Sequence, residues 1–192
     1  MLNLFTQIDL RVFTFINHLS HPRWMVDIAL FFTNLGTWGG VWLLIGLGIA
    51  IWGKKKGFRT FWLMVTALMA DVALNEYIIK LEVERTRPYQ TLGLSGLDFW
   101  DIKWRDSSFV SGHAFTAFAC AYIIAKRYPK HAWIVWVLAV LIAFSRTYLG
   151  AHWPSDVVLG SLLGAVVGWG IVYVENKYFV RDDRVSKKSK KQ

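Results

Sequence analysis

The stretch PSDVVLGSLLGAVVGWGIVYVENKY, residues 154–178, decides the class of the fold. From Val157 to Val174 it carries no charge, and at ~1.5 Å of rise per residue a helix of that length nearly crosses the ~30 Å hydrocarbon core of a bilayer. The rest of the chain shares its character. Of 192 residues, 55% are apolar and only 18% charged, which excludes a disordered or fibrous chain and leaves more apolar surface than a soluble domain can cover. The length suits one domain. The single cysteine, Cys120, excludes an internal disulfide and a multi-cysteine metal site.

Working outward, four more stretches are apolar over lengths that span or nearly span a bilayer: Trp38–Gly53, Phe58–Lys80, Phe109–Arg127 and His131–Leu149. The sequence therefore predicts an all-α integral membrane helical bundle with about five transmembrane helices. Before them, Leu4, Ile8, Val12, Phe15 and Leu19 recur at helical spacing but are interrupted by Asp9, Arg11, Asn17 and His18. This predicts two amphipathic interfacial helices, Leu4–Leu19 and Arg23–Leu35, broken at His21-Pro22, with a sixth, kinked span as the alternative. No cleaved signal peptide is expected, because no basic segment precedes an apolar core. The expected organisation is an N-terminal amphipathic region over residues 1–36, a membrane-embedded domain over 37–178 and a basic tail over 179–192.

The net charge of +9 at first suggests an anionic partner. With five spans, however, the GKKKGFR loop, the KRYPK loop, Lys177 and the tail fall on one side and carry 14 of the 22 Lys and Arg residues. The positive-inside bias places that side in the cytoplasm and the loops at 81–108 and 150–154 outside. Orientation and contact with anionic membrane lipids account for the basic tail, and no nucleic acid is called for.

Polar residues that do not belong in lipid gather at the outer ends of four spans: Lys80, Arg87-Pro88, Ser111-Gly112-His113, Ser145-Arg146, and His152 with Asp156. Each charge near the core costs at least ~2.5–3.5 kcal/mol on insertion scales unless it faces a cavity or a partner. A shared cavity is the economical arrangement. Three cations against one carboxylate repel a divalent metal and favour a compact anion with several oxygens, and phosphate fits the Arg forks. Ser111 is a candidate N-cap, which would leave the backbone N–H groups of Gly112 and His113 free to meet an anion. Pro154 suits the first position of the last helix, so Asp156 falls in its first turn, within reach of His152. His152, oriented by Asp156, is then the candidate nucleophile, and His113, with no local carboxylate, the candidate general acid.

In order, these residues read Lys80-x6-Arg87-Pro88, Val110-Ser111-Gly112-His113 and Ser145-Arg146-x5-His152-x3-Asp156. The pattern resembles the three-part signature of the type 2 phosphatidic acid phosphatase superfamily, which includes glucose-6-phosphatase and the vanadium haloperoxidases. The resemblance implies a nucleophile at His152, its orienter at Asp156, a general acid at His113, and phosphate binding by Lys80, Arg87, Ser111, Gly112 and Arg146, with no metal and no cofactor. It also implies a lipid phosphate substrate, hydrolysed on the outer face of a bacterial cytoplasmic membrane by a multi-pass protein. The candidates are undecaprenyl diphosphate, phosphatidylglycerol phosphate, phosphatidic acid and lipid A phosphate. A phosphotransferase using the same intermediate is the alternative. Val110 stands where the family usually has Pro, and is expected to loosen that turn while sparing the chemistry.

Other polar residues have plainer readings. His18, His21 and His131 are expected to be structural, Ser145 to bond the backbone, and Glu84 and Arg85 to form a solvated loop pair. Asp71, Asn75 and Glu76 are expected to bond between helices, with Glu76 pairing with Lys80 four residues on. Gly160, Gly164 and Gly168 predict close packing within the bundle rather than dimerisation. Phe99, Trp100 and Trp104 are expected to form an interfacial belt over the cavity mouth. The oligomeric state is left open.

Overall fold

The computed structural model describes residues 4–18, 21–92 and 107–179. The aromatic belt around Trp100 and the basic tail beyond 179 lie outside the described residues. Everything regular among the described residues is helical. The chain runs through α1 (Leu4–His18), α2 (Arg23–Gly36), α3 (Gly40–Trp52), α4 (Lys54–Ala70), the short α5 (Pro88–Thr91), α6 (Gly112–Arg127), α7 (Ala132–Tyr148) and α8 (Pro154–Val174). The helix of α4 continues without a break through wide π-type turns, Asp71–Ile79, into a last α turn, Lys80–Glu82.

The bundle carries much of its apolar surface on the outside. Leu44, Trp52, Trp62, Val140, Val158, Leu162 and Val166 are all exposed on long helices, an arrangement stable only where lipid covers it. Among the described residues, four stretches are long and apolar enough to cross a membrane: Arg23–Trp52, Lys54–Glu82, Pro129–Tyr148 and Pro154–Tyr178. Two differences from the sequence reading have physical causes. The first stretch is α2 and α3 together, joined through Trp38 and Gly39, whose positive φ angles of 53° and 66° turn the chain between them. The α6 helix has only 16 residues, but it lies at the centre of the bundle. Its Ala114, Ala117, Ala119 and Ala121 are buried against neighbouring helices, so it meets protein where the others meet lipid.

Two packing features position the site. A Cβ at Gly164 would lie 2.1 Å from the Phe115 carbonyl oxygen, and one at Gly160 or Gly168 would lie 2.7 Å from the carbonyls of Ser111 or Ala119. The glycine stripe thus brings the backbone of α8 directly onto α6 within one chain and registers the starts of the two helices. There, Ser111 N–H donates to the Asp156 carbonyl at 3.1 Å. The second feature is α2, which buries Val26, Ala29, Thr33 and Gly36 at spacings of three and four residues and packs them against the bundle. The N-terminal region therefore forms part of the wall of the polar cluster.

Candidate active site

The loop between α7 and α8 is held by the chain that precedes it. The Arg146 carbonyl accepts the N–H groups of Ala151 at 2.9 Å and His152 at 3.2 Å, and Gly150 takes a φ of +75° that a side chain would resist. His152 is buried here, 3% exposed. Its Nδ1 lies 2.7 Å from the Ser108 carbonyl oxygen and its Nε2 3.2 Å from Arg87 Nη1. A carbonyl only accepts and a guanidinium only donates, so these contacts fix the tautomer: Nδ1 carries the proton and Nε2 presents its lone pair. Burial, and then the charges of Arg87 and Arg146, push the imidazole well below the ordinary histidine pKa, against a smaller upward effect of the Ser108 carbonyl. His152 is therefore a neutral base with Nε2 facing a cation.

Asp156 lies close to His152 but is not hydrogen-bonded to it. Its Oδ2 is 3.9 Å from His152 Nδ1, beyond hydrogen-bond reach. The Ser108 carbonyl occupies the place expected for the carboxylate, while Asp156 Oδ2 accepts Trp153 N–H at 2.9 Å, capping α8. Asp156 Oδ1 pairs with Arg85 Nη1 at 2.5 Å. Arg85, expected to be solvated, is an internal node: its Nη2 pairs with Asp9 of α1 at 2.5 Å and its Nη1 donates to Ser155 Oγ at 2.8 Å. Asp9 in turn accepts the N–H of Ser155 at 2.8 Å.

Arg87 is 2% exposed. Its Nη1 also donates to the Ala151 carbonyl at 3.1 Å, and its backbone N–H to Gln90 Oε1 at 3.1 Å. Arg87 is extended, with φ −77° and ψ 152°, as suits a residue before proline, and Pro88 opens α5. On the far side of the cluster, buried Arg146 donates through Nη1 to Thr33 Oγ1 at 2.5 Å, and His113 hydrogen-bonds to the Thr33 backbone. The His113 ring lies against Gly36, where a Cβ would sit 2.8 Å from its Cδ2. Lys80 Nζ pairs with Glu76 Oε1 at 2.6 Å, and the same oxygen lies 3.6 Å from where a Cβ of Gly112 would be. Ser111 caps α6 by accepting Ala114 N–H at 3.5 Å. Buried Val110, at the Pro position of the pattern, follows a cis peptide bond from Phe109.

The cluster thus has three parts around the N-terminus of α6: His152 with Arg87 and Asp156, His113 with Arg146, and Lys80 beside Gly112. Asp71 accepts from Thr116 at 2.6 Å across helices and from Asn75 at 3.1 Å. Ser145 Oγ donates to the Ile142 carbonyl at 2.7 Å, a backbone bond. His21 stacks on Tyr148 with ring centroids 4.4 Å apart, away from the cluster. Sequence reasoning missed Asp9, Thr33, Gly36 and the Ser108 carbonyl. Asp9 and Thr33 had left a signal, as polar positions interrupting apolar helical faces, whereas a backbone carbonyl leaves none.

Comparison with known proteins places the chain in a family. The phosphatidylglycerophosphatase B of Bacillus subtilis is 32% identical over 78% of this chain and 74% of its own. An undecaprenyl-diphosphatase of Sulfolobus acidocaldarius is 29% identical over 67% of this chain and 70% of its own. The crystal structure of a transmembrane PAP2 type phosphatidylglycerolphosphate phosphatase from Bacillus subtilis superposes with a TM-score of 0.64 at 26% identity, over 92% of this chain and 88% of that one. Residues 60–179 match the PAP2 superfamily, and that span holds the Lys80, Arg87, Ser111, His113, Arg146, His152 and Asp156 cluster, so the chain belongs to the PAP2 superfamily and is a multi-pass membrane phosphatase.

Proposed function

We propose that this protein hydrolyses the phosphate monoester or diphosphate of a membrane lipid through a phosphohistidine at His152. The observation that carries the reading is the pair of contacts fixing His152: the Ser108 carbonyl on Nδ1 and the Arg87 guanidinium on Nε2. A neutral imidazole so held directs its lone pair into a cationic cavity, where a phosphoryl group would replace it as the partner of Arg87. The Nε2 lone pair attacks phosphorus and the bond to the leaving oxygen breaks with its electron pair. His113 protonates that oxygen. Arg87, Arg146, Lys80 and the N-terminus of α6 at Ser111 and Gly112 hold the remaining oxygens, as phosphoryl transfer chiefly requires. Water, deprotonated by His113, then attacks the phosphohistidine and releases inorganic phosphate and free His152. Asp156 acts by fixing the loop and the start of α8.

Candidate substrates are undecaprenyl diphosphate, phosphatidylglycerol phosphate, phosphatidic acid and lipid A phosphate; the names of the relatives support the first two. The cavity would face the outside of the bacterial cytoplasmic membrane, with α6 as the third of five crossings, because the basic GKKKGFR and KRYPK loops would then lie on the cytoplasmic side. The embedded domain would begin at α2, ahead of residue 37, because Arg23–Trp52 is one membrane-length stretch, and would run to 178. Purified protein screened against these lipids in detergent should release phosphate from at least one of them, resist a chelator and be blocked by vanadate. Wild-type rates in His152→Ala would overturn the mechanism. A newly phosphorylated lipid in place of inorganic phosphate would identify a phosphotransferase.

A further inference from the structure

Helices α2, α6 and α7 meet at Thr33. This residue lies on the buried face of α2, 4% exposed, and belongs to none of the three motifs that supply the polar cluster. One helical turn on, Gly36 has no side chain, and a Cβ there would sit 2.7 Å from Ile142 Cγ2 on α7 and 2.8 Å from His113 Cδ2 on α6. The glycine lets α2 approach both helices closely. Thr33 thereby reaches two residues of the cluster, one through its side chain and one through its backbone.

The side chain meets Arg146. Its Oγ1 accepts Arg146 Nη1 at 2.5 Å, across 113 positions of sequence, and both residues are buried. A hydroxyl accepts from a guanidinium without cancelling its charge, so this contact aims the fork and leaves it able to hold a phosphoryl oxygen. A threonine suits the task because branching at Cβ makes χ1 stiff within a helix. The backbone meets His113. The ring hydrogen-bonds to the Thr33 backbone; the N–H there lies within the α2 ladder, which leaves the carbonyl as acceptor. The same carbonyl accepts Thr37 Oγ1 at 3.2 Å. His113 Nε2 makes no hydrogen bond among the described residues, so the bond to Thr33 comes from Nδ1. A carbonyl only accepts, hence Nδ1 carries a proton and Nε2 is the nitrogen able to exchange one with a leaving oxygen.

We propose that Thr33 is a positioning residue of the phosphate site, whose hydroxyl holds Arg146 and whose carbonyl holds His113 in fixed register with each other. The role rests on the reading of the cluster as a phosphate site, and not on the phosphohistidine step. The test measures binding of inorganic phosphate to full-length protein in detergent, from the rise of Tm with phosphate concentration, with phosphate release from the best lipid substrate alongside. Thr33→Val keeps the shape and the carbonyl and removes the hydroxyl. Phosphate affinity and kcat/KM should each fall about tenfold, as for one hydrogen bond to a charged group, and Thr33→Ser should recover most of the loss. In an Arg146→Ala background, Thr33→Val should cost less than about twofold in phosphate affinity, because the hydroxyl then has nothing to aim. Thr33→Ala is carried through the same cycle, so that if one variant fails to fold the other decides. In ring-15N histidine spectra, the signal lost in His113→Ala should show the Nδ1–H tautomer in wild type and in Thr33→Val. An equal loss with and without Arg146 would mean that Thr33 only packs α2. That result, wild-type phosphate affinity in Thr33→Val, no recovery by serine, or an Nε2–H tautomer at His113 overturns the proposal. Wild-type phosphate release in His152→Ala would overturn the phosphohistidine instead, with the coupling of Thr33 to Arg146 still read from phosphate binding.

Discussion

Arg85→Ala removes the node between Asp9 and Asp156. In the wild type, one guanidinium pairs at 2.5 Å with both carboxylates and donates to Ser155 Oγ. Without it, fully buried Asp156 keeps the Trp153 N–H among these contacts, and Asp9 keeps Ser155. Removing one partner of a buried ion pair costs about 3–5 kcal/mol. The Arg85 side chain is 23% exposed, so water can enter the gap, and the lower end of that range, about 3 kcal/mol, is expected as lost stability. If half of this is felt where the loop positions His152, kcat/KM falls about tenfold, since each ~1.4 kcal/mol at the transition state is a factor of ten. Arg85→Lys should fall between the two, because an ammonium lacks the fork that spans both carboxylates. The assay is phosphate release from the best lipid substrate, with Tm measured alongside. Arg127→Ala is the control: it breaks a similar pair with Glu175 at the other end of the bundle, and should lower Tm without changing kcat/KM in detergent. A kcat/KM within twofold of wild type in Arg85→Ala would refute the positioning role.

Three further outcomes are expected. Because the His152 pKa is lowered, the neutral nucleophile persists below the ordinary histidine value of ~6.5. The acid limb of kcat/KM assigned to His152, the limb absent from any residual activity of His152→Ala, should therefore lie below that value. Within the same window the unfolded chain binds the proton and the folded chain does not, so stability should fall as pH drops, and less so in His152→Ala. Gly36→Ala would push a Cβ to 2.8 Å from His113 Cδ2 and 2.7 Å from Ile142 Cγ2; with the ring displaced, kcat should fall by a factor of about 10–100 with KM little changed. Gly164→Ala would meet the Phe115 carbonyl at 2.1 Å, forcing α8 off α6, and should cost about 1–3 kcal/mol in a denaturation measurement.

The helical class and most of the polar cluster were legible because lipid imposes a coarse rule on sequence: apolar runs mark spans, and ionisable residues at their ends mark a shared cavity. The stretch 154–178 was read correctly from this rule alone. At α6 the rule found the helix but not its setting: the helix is shorter than the predicted stretch, and its small residues pack on neighbouring helices where the other spans meet lipid. It also missed the bend at Trp38 and Gly39, since a positive φ at a tryptophan has no compositional mark. Spacing placed Asp156 near His152 correctly, yet could not show that Ser108 occupies its expected position, because that contact comes from a carbonyl 44 positions away. Arg85 read as a loop residue because its partners lie 76 and 71 positions away.

The bond between Ser155 N–H and Asp9 joins positions 146 apart, and so has a consequence for how the protein is made. The first helix leaves the ribosome long before the last, and Asp9 must wait without this partner until α8 is inserted and its first turn returns to meet it. Closing so long a loop adds little thermodynamic cost over a shorter one, since that entropy grows only logarithmically with length. The order of events is still strict: the loop bearing His152 can be locked only after the whole bundle is in the membrane. On the proposed mechanism, a nascent or truncated chain would already display the end of α6 that meets phosphate while His152 is not yet fixed, so activity would begin only with the last crossing.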